Sequence, residues 1–183
     1  GGALVRNPRS FAKPMAIGAP TPPIDIPMRP SRMIHFFDPS NPRMAEKVPQ
    51  LTGTLDVLLA NLEDAIRADK KIEAREGLVA IAQSTDFGDS QFWVRMNSLD
   101  SPWALDDLLR IVPAVGEKID VIMVPKVEGP WDIHYVDQLL AQLEAKAGLE
   151  RSILIHAILE TAQGVANVEE ICMASPRMQG ISL

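Results

Sequence analysis

The chain has 183 residues, 46% of them hydrophobic and 23% charged, a composition that suits one globular domain with a substantial core. No apolar stretch approaches the roughly 20 residues needed to span a bilayer, and no basic segment followed by an apolar signal core opens the chain. The lone Cys172 excludes an internal disulfide or a thiolate metal cluster within one chain, so a cytoplasmic protein is expected, with Cys172 packed on a helix.

The net charge of −6 is unevenly spread: seven Lys or Arg face three acids in residues 1–50, and eleven face twenty-one in the remainder. An acidic body argues against general nucleic-acid binding. The basic first part is either a solvated arm or a seat for a small polyanion such as a nucleotide-bearing cofactor.

Residues 1–30 read as an extended arm, because Pro14, Pro20, Pro22, Pro23, Pro27 and Pro30 block regular ladders. The body, residues 31–183, opens with a strand over 33–37 and the turn Asp38-Pro39-Ser40-Asn41-Pro42. A short helix over 44–48 follows, limited by Pro49. A second strand over 56–62 ends in Glu63-Asp64. The spacing then predicts a helix over 69–83, capped by Asp69 and buried through Ile72, Leu78, Val79 and Ala82.

A third strand over 92–97 leads to Ser101-Pro102, a cap residue followed by Pro at the first position of the next helix. The fourth strand, 120–124, is closed by Pro125, and a helix over 130–147 ends near Gly148. The apolar run 153–159 is the fifth strand, followed by a helix over 166–174 and a sixth strand over 178–183. Strand and helix alternating about every thirty residues point to right-handed βαβ units and a parallel sheet. No glycine-rich phosphate loop of either common kind is present, so a nucleotide-binding open sheet loses support. Polar residues at nearly every strand end favour a (β/α)8 TIM barrel, and with six strands short of eight the sheet is either open or, as favoured, a barrel truncated after its sixth strand.

Arg95 closes an apolar strand, with Asn97 on the same face by the two-residue period. Its guanidinium either grips a substrate carboxylate or carbonyl or forms an ion pair with Glu63 or Asp64. Glu63 and Asp64 point to opposite faces unless the strand has already ended. Lys126 and Glu128 share a face and pair with each other. Glu160, on the face of His156, is either a ligand for Mg²⁺ or an acid at a helix N-terminus. The three His show no zinc spacing, and no Gly-x-Ser-x-Gly elbow occurs, which disfavours acyl-enzyme chemistry.

Four stretches carry a resemblance: Asn61-Leu62-Glu63-Asp64-Ala65-Ile66, the run from Val94 to Trp103, the run from Val121 to Trp131, and the segment around Glu160. Together, in this order, they resemble the malyl-CoA lyase group of the citrate lyase β-subunit and HpcH/HpaI aldolase superfamily, over residues 11–183. The greatest likeness is to lyases acting on malyl-CoA, β-methylmalyl-CoA and citramalyl-CoA. The resemblance implies a (β/α)8 barrel assembled as a trimer or hexamer; charge and hydropathy add the expectation of no nucleic-acid or membrane partner. It also implies Mg²⁺ or Mn²⁺ and reversible cleavage of a 3-hydroxyacyl-CoA to acetyl-CoA or propionyl-CoA plus glyoxylate or pyruvate.

By that resemblance Glu160 is a metal ligand, Arg95 contacts the oxo-acid portion, and Glu63 and Asp64 line the metal pocket. Arg32, His35, Phe36, Phe37 and Lys47 fall where the family contacts CoA. The family's second acidic ligand lies in a Gly-Pro-Ala-Asp segment after the sixth strand, beyond Leu183, as do the last strands and a lid carrying an acid/base aspartate. The chain is therefore expected to be the N-terminal part of a lyase. Two rivals share these residues: a malyl-CoA thioester hydrolase and a fragment that catalyses nothing.

Overall fold

The computed structural model describes residues 31–183 together with Ile26 and Arg29. Apart from those two residues, the proline-rich arm expected over 1–30 lies outside the described residues. Six strands run through the body: β1 Ile34–Phe37, β2 Val57–Asn61, β3 Gln91–Arg95, β4 Val121–Val124, β5 Leu154–Ile158 and β6 Met178–Ser182. The helices between them are α1 Pro42–Leu51, α2 Lys71–Ser84, α3 Ala104–Val115, α4 Pro130–Ala147, α5 Ala162–Ala166 and α6 Val168–Cys172.

All strands are parallel and pair in the order β1-β2-β3-β4-β5-β6. A doubly wound sheet reverses its order at a switch point, whereas this one advances in a single direction, as a barrel wall does. β2 to β5 are apolar on both faces, as a sheet covered on both sides requires. On the inner face Val57, Leu59, Trp93, Val121, Met123 and Leu154 pack together, with Ile26 of the N-terminal segment against them. The outer face meets the helices through residues such as Leu58, Phe92, Ile122 and Ile155. Among the described residues no helix is long and apolar enough to cross a membrane.

Local chemistry moves several boundaries from where sequence pattern put them. Pro49 does not stop α1, which continues to Leu51; Asn41 caps its start by accepting from the Arg43 N–H. Asp69 does not cap α2 but takes an ion pair with Arg67, and Ile72 is 67% exposed rather than buried. Ser101 and Pro102 belong to a turn, and α3 begins two residues later without a side-chain cap. The expected last helix is broken into α5 and α6 at Asn167, whose side chain donates to the Glu128 carbonyl. Cys172 is exposed and not packed.

α4 ends where Gly148 takes a left-handed φ of 69°, and Leu149 N–H returns to the Glu144 carbonyl. The same helix presents Asp137 and Glu144 to the buried guanidinium of Arg177, which pairs with both and also donates to the Ile153 carbonyl. Glu144 in turn accepts from the Ile153 N–H, so one network ties α4 to the entries of β5 and β6. Burial raises both carboxyl groups against the pull of Arg177.

Removing one partner of a buried ion cluster leaves the other charges uncompensated, at a cost of about 3–5 kcal/mol. Arg177→Met is expected to lower the unfolding free energy by about that amount. With Arg177 gone, the raised carboxyl groups are neutralised by protons in acid, so the loss is smaller at pH 5 than at pH 8. Urea midpoints at the two pH values check both the size and the sign.

Candidate active site at the strand tips

β2, β3, β4 and β5 deliver their last residues to one rim of the sheet, and Arg95, the final residue of β3, stands at its centre. Its Nη2 lies 3.4 Å from Glu63 Oε2, 3.3 Å from Asp64 Oδ2 and 3.7 Å from Glu160 Oε1. Glu63 and Asp64 both reach Arg95 because β2 has already ended at Asn61. The period of two no longer applies to them. Asn61 shapes the loop that carries the pair: its Nδ2 donates to the Asp64 carbonyl at 2.6 Å, and its Oδ1 accepts from Glu63 N–H at 3.0 Å.

The loop is held from beneath by Lys71 at the start of α2, whose buried ammonium donates to the carbonyls of Leu62 and Glu63 at 2.9 and 2.7 Å and lies over the Trp103 ring. Ala65, directly after the pair, has φ 68°, and Lys126, after β4, has φ 53°. Among the described residues these are the two non-glycine positions with positive φ, and backbone strain of that kind gathers at functional sites. At Lys126 the strained turn aims the backbone N–H at Glu160 Oε1, 3.2 Å away.

Three carboxylates around one guanidinium leave an excess of negative charge. Glu63 is 6% exposed, and in its ionised form neither of its oxygens has a hydrogen-bond donor; Arg95 Nε also lacks an acceptor. Burial first, and then the proton that Glu63 donates to Asp64, raise the Glu63 carboxyl from 4.5 to about 6 against the pull of Arg95. Asp64 is lowered, chiefly because it accepts that proton. The pair therefore keeps one proton to a higher pH than an ordinary carboxyl would and gives it up around pH 6.

Several expected site residues are placed elsewhere. Asn97 turns away from Arg95 into a buried network in which its N–H and Nδ2 both donate to Asp107, itself paired with Arg75. Lys126 and Glu128 form no ion pair; Glu128 accepts from Thr161 Oγ1 and so orders the turn into α5. His156 lies on the inner face beside Trp93, bonded to Gln179 and Ser182, while Glu160 stands past the end of β5. Gly164 packs so closely on the Val127 carbonyl that a Cβ would come within 2.3 Å of it, which locks the β4 and β5 tip loops together.

Of the expected CoA contacts, His35, Phe36, Phe37 and Lys47 line a groove of about 570 Å³ between β1 and α1, two strands from Arg95. Phe37 is largely committed to the outer core. Arg32 is at the opposite, amino end of β1, 3.7 Å from Asp56, and does not line the groove. Lys71 was not singled out from sequence, and Asn61 was named within a stretch of resemblance without a role. A Lys at a helix start carries no signal of its own, whereas Asn just before an acidic pair at a strand end is a turn signal that was available.

The donor set of Glu63, Asp64 and Glu160 suits a hard divalent cation in its chemistry: oxygen ligands, excess negative charge and, at Glu63, two oxygens lacking donors. Among the described residues, however, no three His, Cys, Asp or Glu side chains converge in a metal-holding group.

Residues 32–183 match the family model described as HpcH/HpaI aldolase/citrate lyase. The chain is 57% identical over 174 residues to the malyl-CoA/β-methylmalyl-CoA/citramalyl-CoA lyase of Chloroflexus aurantiacus, covering 95% of this chain and 50% of that protein. It therefore spans half the length of that relative. Among solved structures, a citrate lyase from Burkholderia xenovorans superposes with a TM-score of 0.72 at 16% identity, over 87% of this chain and 48% of that one. A citrate lyase β subunit from Mycobacterium tuberculosis, in complex with oxaloacetate and magnesium, gives 0.60 at 22% identity, over 81% and 55%. At these identities the two structures speak for the barrel fold.

The raised Glu63 carboxyl has a measurable consequence. A carboxyl group whose folded pKa exceeds its unfolded value contributes stability at low pH, which is lost as pH rises through the folded value. Followed by carbon NMR, the Glu63 carboxyl is expected to titrate near 6 rather than 4.5. Glu63→Gln is expected to gain on the order of 1 kcal/mol over wild type at pH 8 and nothing at pH 4. A Glu63 titration at or below 4.5 would contradict the assignment.

Proposed function

The chain belongs to the HpcH/HpaI aldolase/citrate lyase family, and from that premise we propose that it carries the strand-tip half of a Mg²⁺-dependent carbon–carbon lyase. The substrate is a 3-hydroxyacyl-CoA such as malyl-CoA, β-methylmalyl-CoA or citramalyl-CoA. The products are acetyl-CoA or propionyl-CoA and glyoxylate or pyruvate. The observation that carries this reading is the gathering of Glu63, Asp64 and Glu160 on Arg95 at one rim.

Glu160 would be a ligand of Mg²⁺ or Mn²⁺, with Glu63 and Asp64 lining its pocket. When bound, that cation supplies Lewis-acid stabilisation of the charge that develops on the oxo-acid oxygens. Arg95 is oriented by its carboxylate neighbours, and its unpartnered Nε is a donor left for substrate. In cleavage the 3-hydroxyl loses its proton and the bond between C2 and C3 breaks. Its electron pair passes into the thioester enolate, which then takes up a proton.

Arg95 stabilises the oxygen that becomes the carbonyl of the oxo acid. The Glu63–Asp64 pair, whose Glu63 carboxyl is raised to about 6, is suited to accept a proton beside the reacting oxygens. His35, Phe36 and Lys47, on the β1 groove, are the proposed contacts for the CoA portion. The reading includes a cytoplasmic homo-oligomer, a trimer or hexamer, for which exposed Leu105 and Leu109 on α3 and Trp131 and Tyr135 on α4 supply apolar surface.

The test is Mg²⁺-dependent release of glyoxylate from malyl-CoA, with this chain assayed beside a version extended to the length of its relatives. The extended protein is expected to be active. In it, Arg95→Lys is expected to lower kcat by about 10²–10³, the usual cost of a lost oxyanion donor. Glu160→Gln is expected to raise the Mg²⁺ concentration needed for half-activity. Release of malate without glyoxylate would replace the lyase with thioester hydrolysis, and the absence of both products from a folded extended protein would refute the reading.

A further inference from the structure

Lys126 is the residue at the rim whose side chain the mechanism above leaves without work. It follows β4 in Val124-Pro125-Lys126-Val127, and its backbone is held at φ 53°. Glycine adopts that conformation without strain, so a side chain kept there invites a functional account. The turn points the backbone N–H to Glu160 Oε1 and leaves Lys126 exposed beside it.

The charges around it differ from those around Arg95. Arg95 has carboxylate oxygens of Glu63, Asp64 and Glu160 within 3.3–3.7 Å, whereas among the described residues no ion pair takes up the Lys126 ammonium. Its positive charge acts on Glu63 and Asp64, and also on Lys71 behind their loop. A carboxylate entering the rim meets three carboxylates and a guanidinium already surrounded by them. Arg95 shares its charge among those three carboxylates, whereas Lys126 can give its whole charge to the newcomer.

We propose that Lys126 is a specificity-determining residue that pairs with the carboxylate of the 2-oxo acid, and with the same carboxylate in the hydroxyacyl substrate. This rests on the lyase reading. An ammonium on a flexible stem acts as a point charge for this purpose and tolerates replacement by a guanidinium better than by a neutral chain.

The experiment uses the full-length protein in the condensation direction, with glyoxylate and acetyl-CoA varied in turn, and three variants. Lys126→Met is expected to raise KM for glyoxylate tenfold or more while KM for acetyl-CoA stays within twofold. Lys126→Arg is expected to restore the glyoxylate KM to within threefold of wild type. Lys126→Gly removes the strain as well as the charge, so it is expected to match Lys126→Met in KM and to exceed wild type in Tm.

Calorimetric binding of oxalate, an unreactive analogue, gives a readout independent of turnover: Lys126→Met is expected to bind it at least tenfold more weakly. An unchanged glyoxylate KM, or a rise confined to acetyl-CoA that would place Lys126 on the CoA phosphates, overturns the proposal while leaving the lyase reading intact. Wild-type protein that neither condenses the substrates nor binds oxalate overturns both. If wild type is inactive yet binds oxalate in a Lys126-dependent way, the lyase reading falls and the carboxylate contact stands.

Discussion

A parallel sheet wound in one direction brings the carboxyl end of every strand to the same rim, and that constraint organises this molecule. Arg95, Glu63, Asp64, Lys126 and Glu160 come from four strands and are spread over nearly a hundred residues, yet they meet because β2 to β5 lie side by side in chain order. The apolar strand interiors make the sheet and are covered on both faces. The polar residues of the rim appear where each strand stops, and there the backbone is free to leave the pleat.

Much of this was legible in sequence. Six apolar runs at regular spacing with helices between them gave the strands and their parallel sense, and the polar strand ends located the rim. The rim's chemistry was half legible. Arg95, Glu63, Asp64 and Glu160 were identified, but their meeting depends on strands ending one or two residues earlier than pattern suggests. Asn97 shows the same limit from the other side: the period placed it beside Arg95, but past the end of β3 the chain turned it to Asp107.

Least legible were the polar residues that hold the site from behind. Lys71 donating to two carbonyls, Arg75 on Asp107, and Arg177 on Asp137 and Glu144 are all buried cations in segments whose pattern gives no hint of burial. Helix periodicity reads such residues as solvated. A buried cation becomes tolerable only when a distant segment supplies acceptors, and that is tertiary information. Ile72 is the converse case, an apolar residue at a position the pattern buried and the structure exposes.

The Arg177 network also orders events during synthesis. Each strand pairs with the one made just before it, so the sheet can lengthen unit by unit as the ribosome delivers the chain. α4 breaks that sequence. Asp137 and Glu144 are emitted 40 and 33 residues before Arg177, the guanidinium that neutralises them, and until it arrives the helix cannot seat both carboxylates in the interior without leaving them charged and unpaired. α4 must therefore wait, loosely attached, while β5 and the two short helices emerge. The arrival of the β6 segment adds the sixth strand and brings the guanidinium that lets that helix dock.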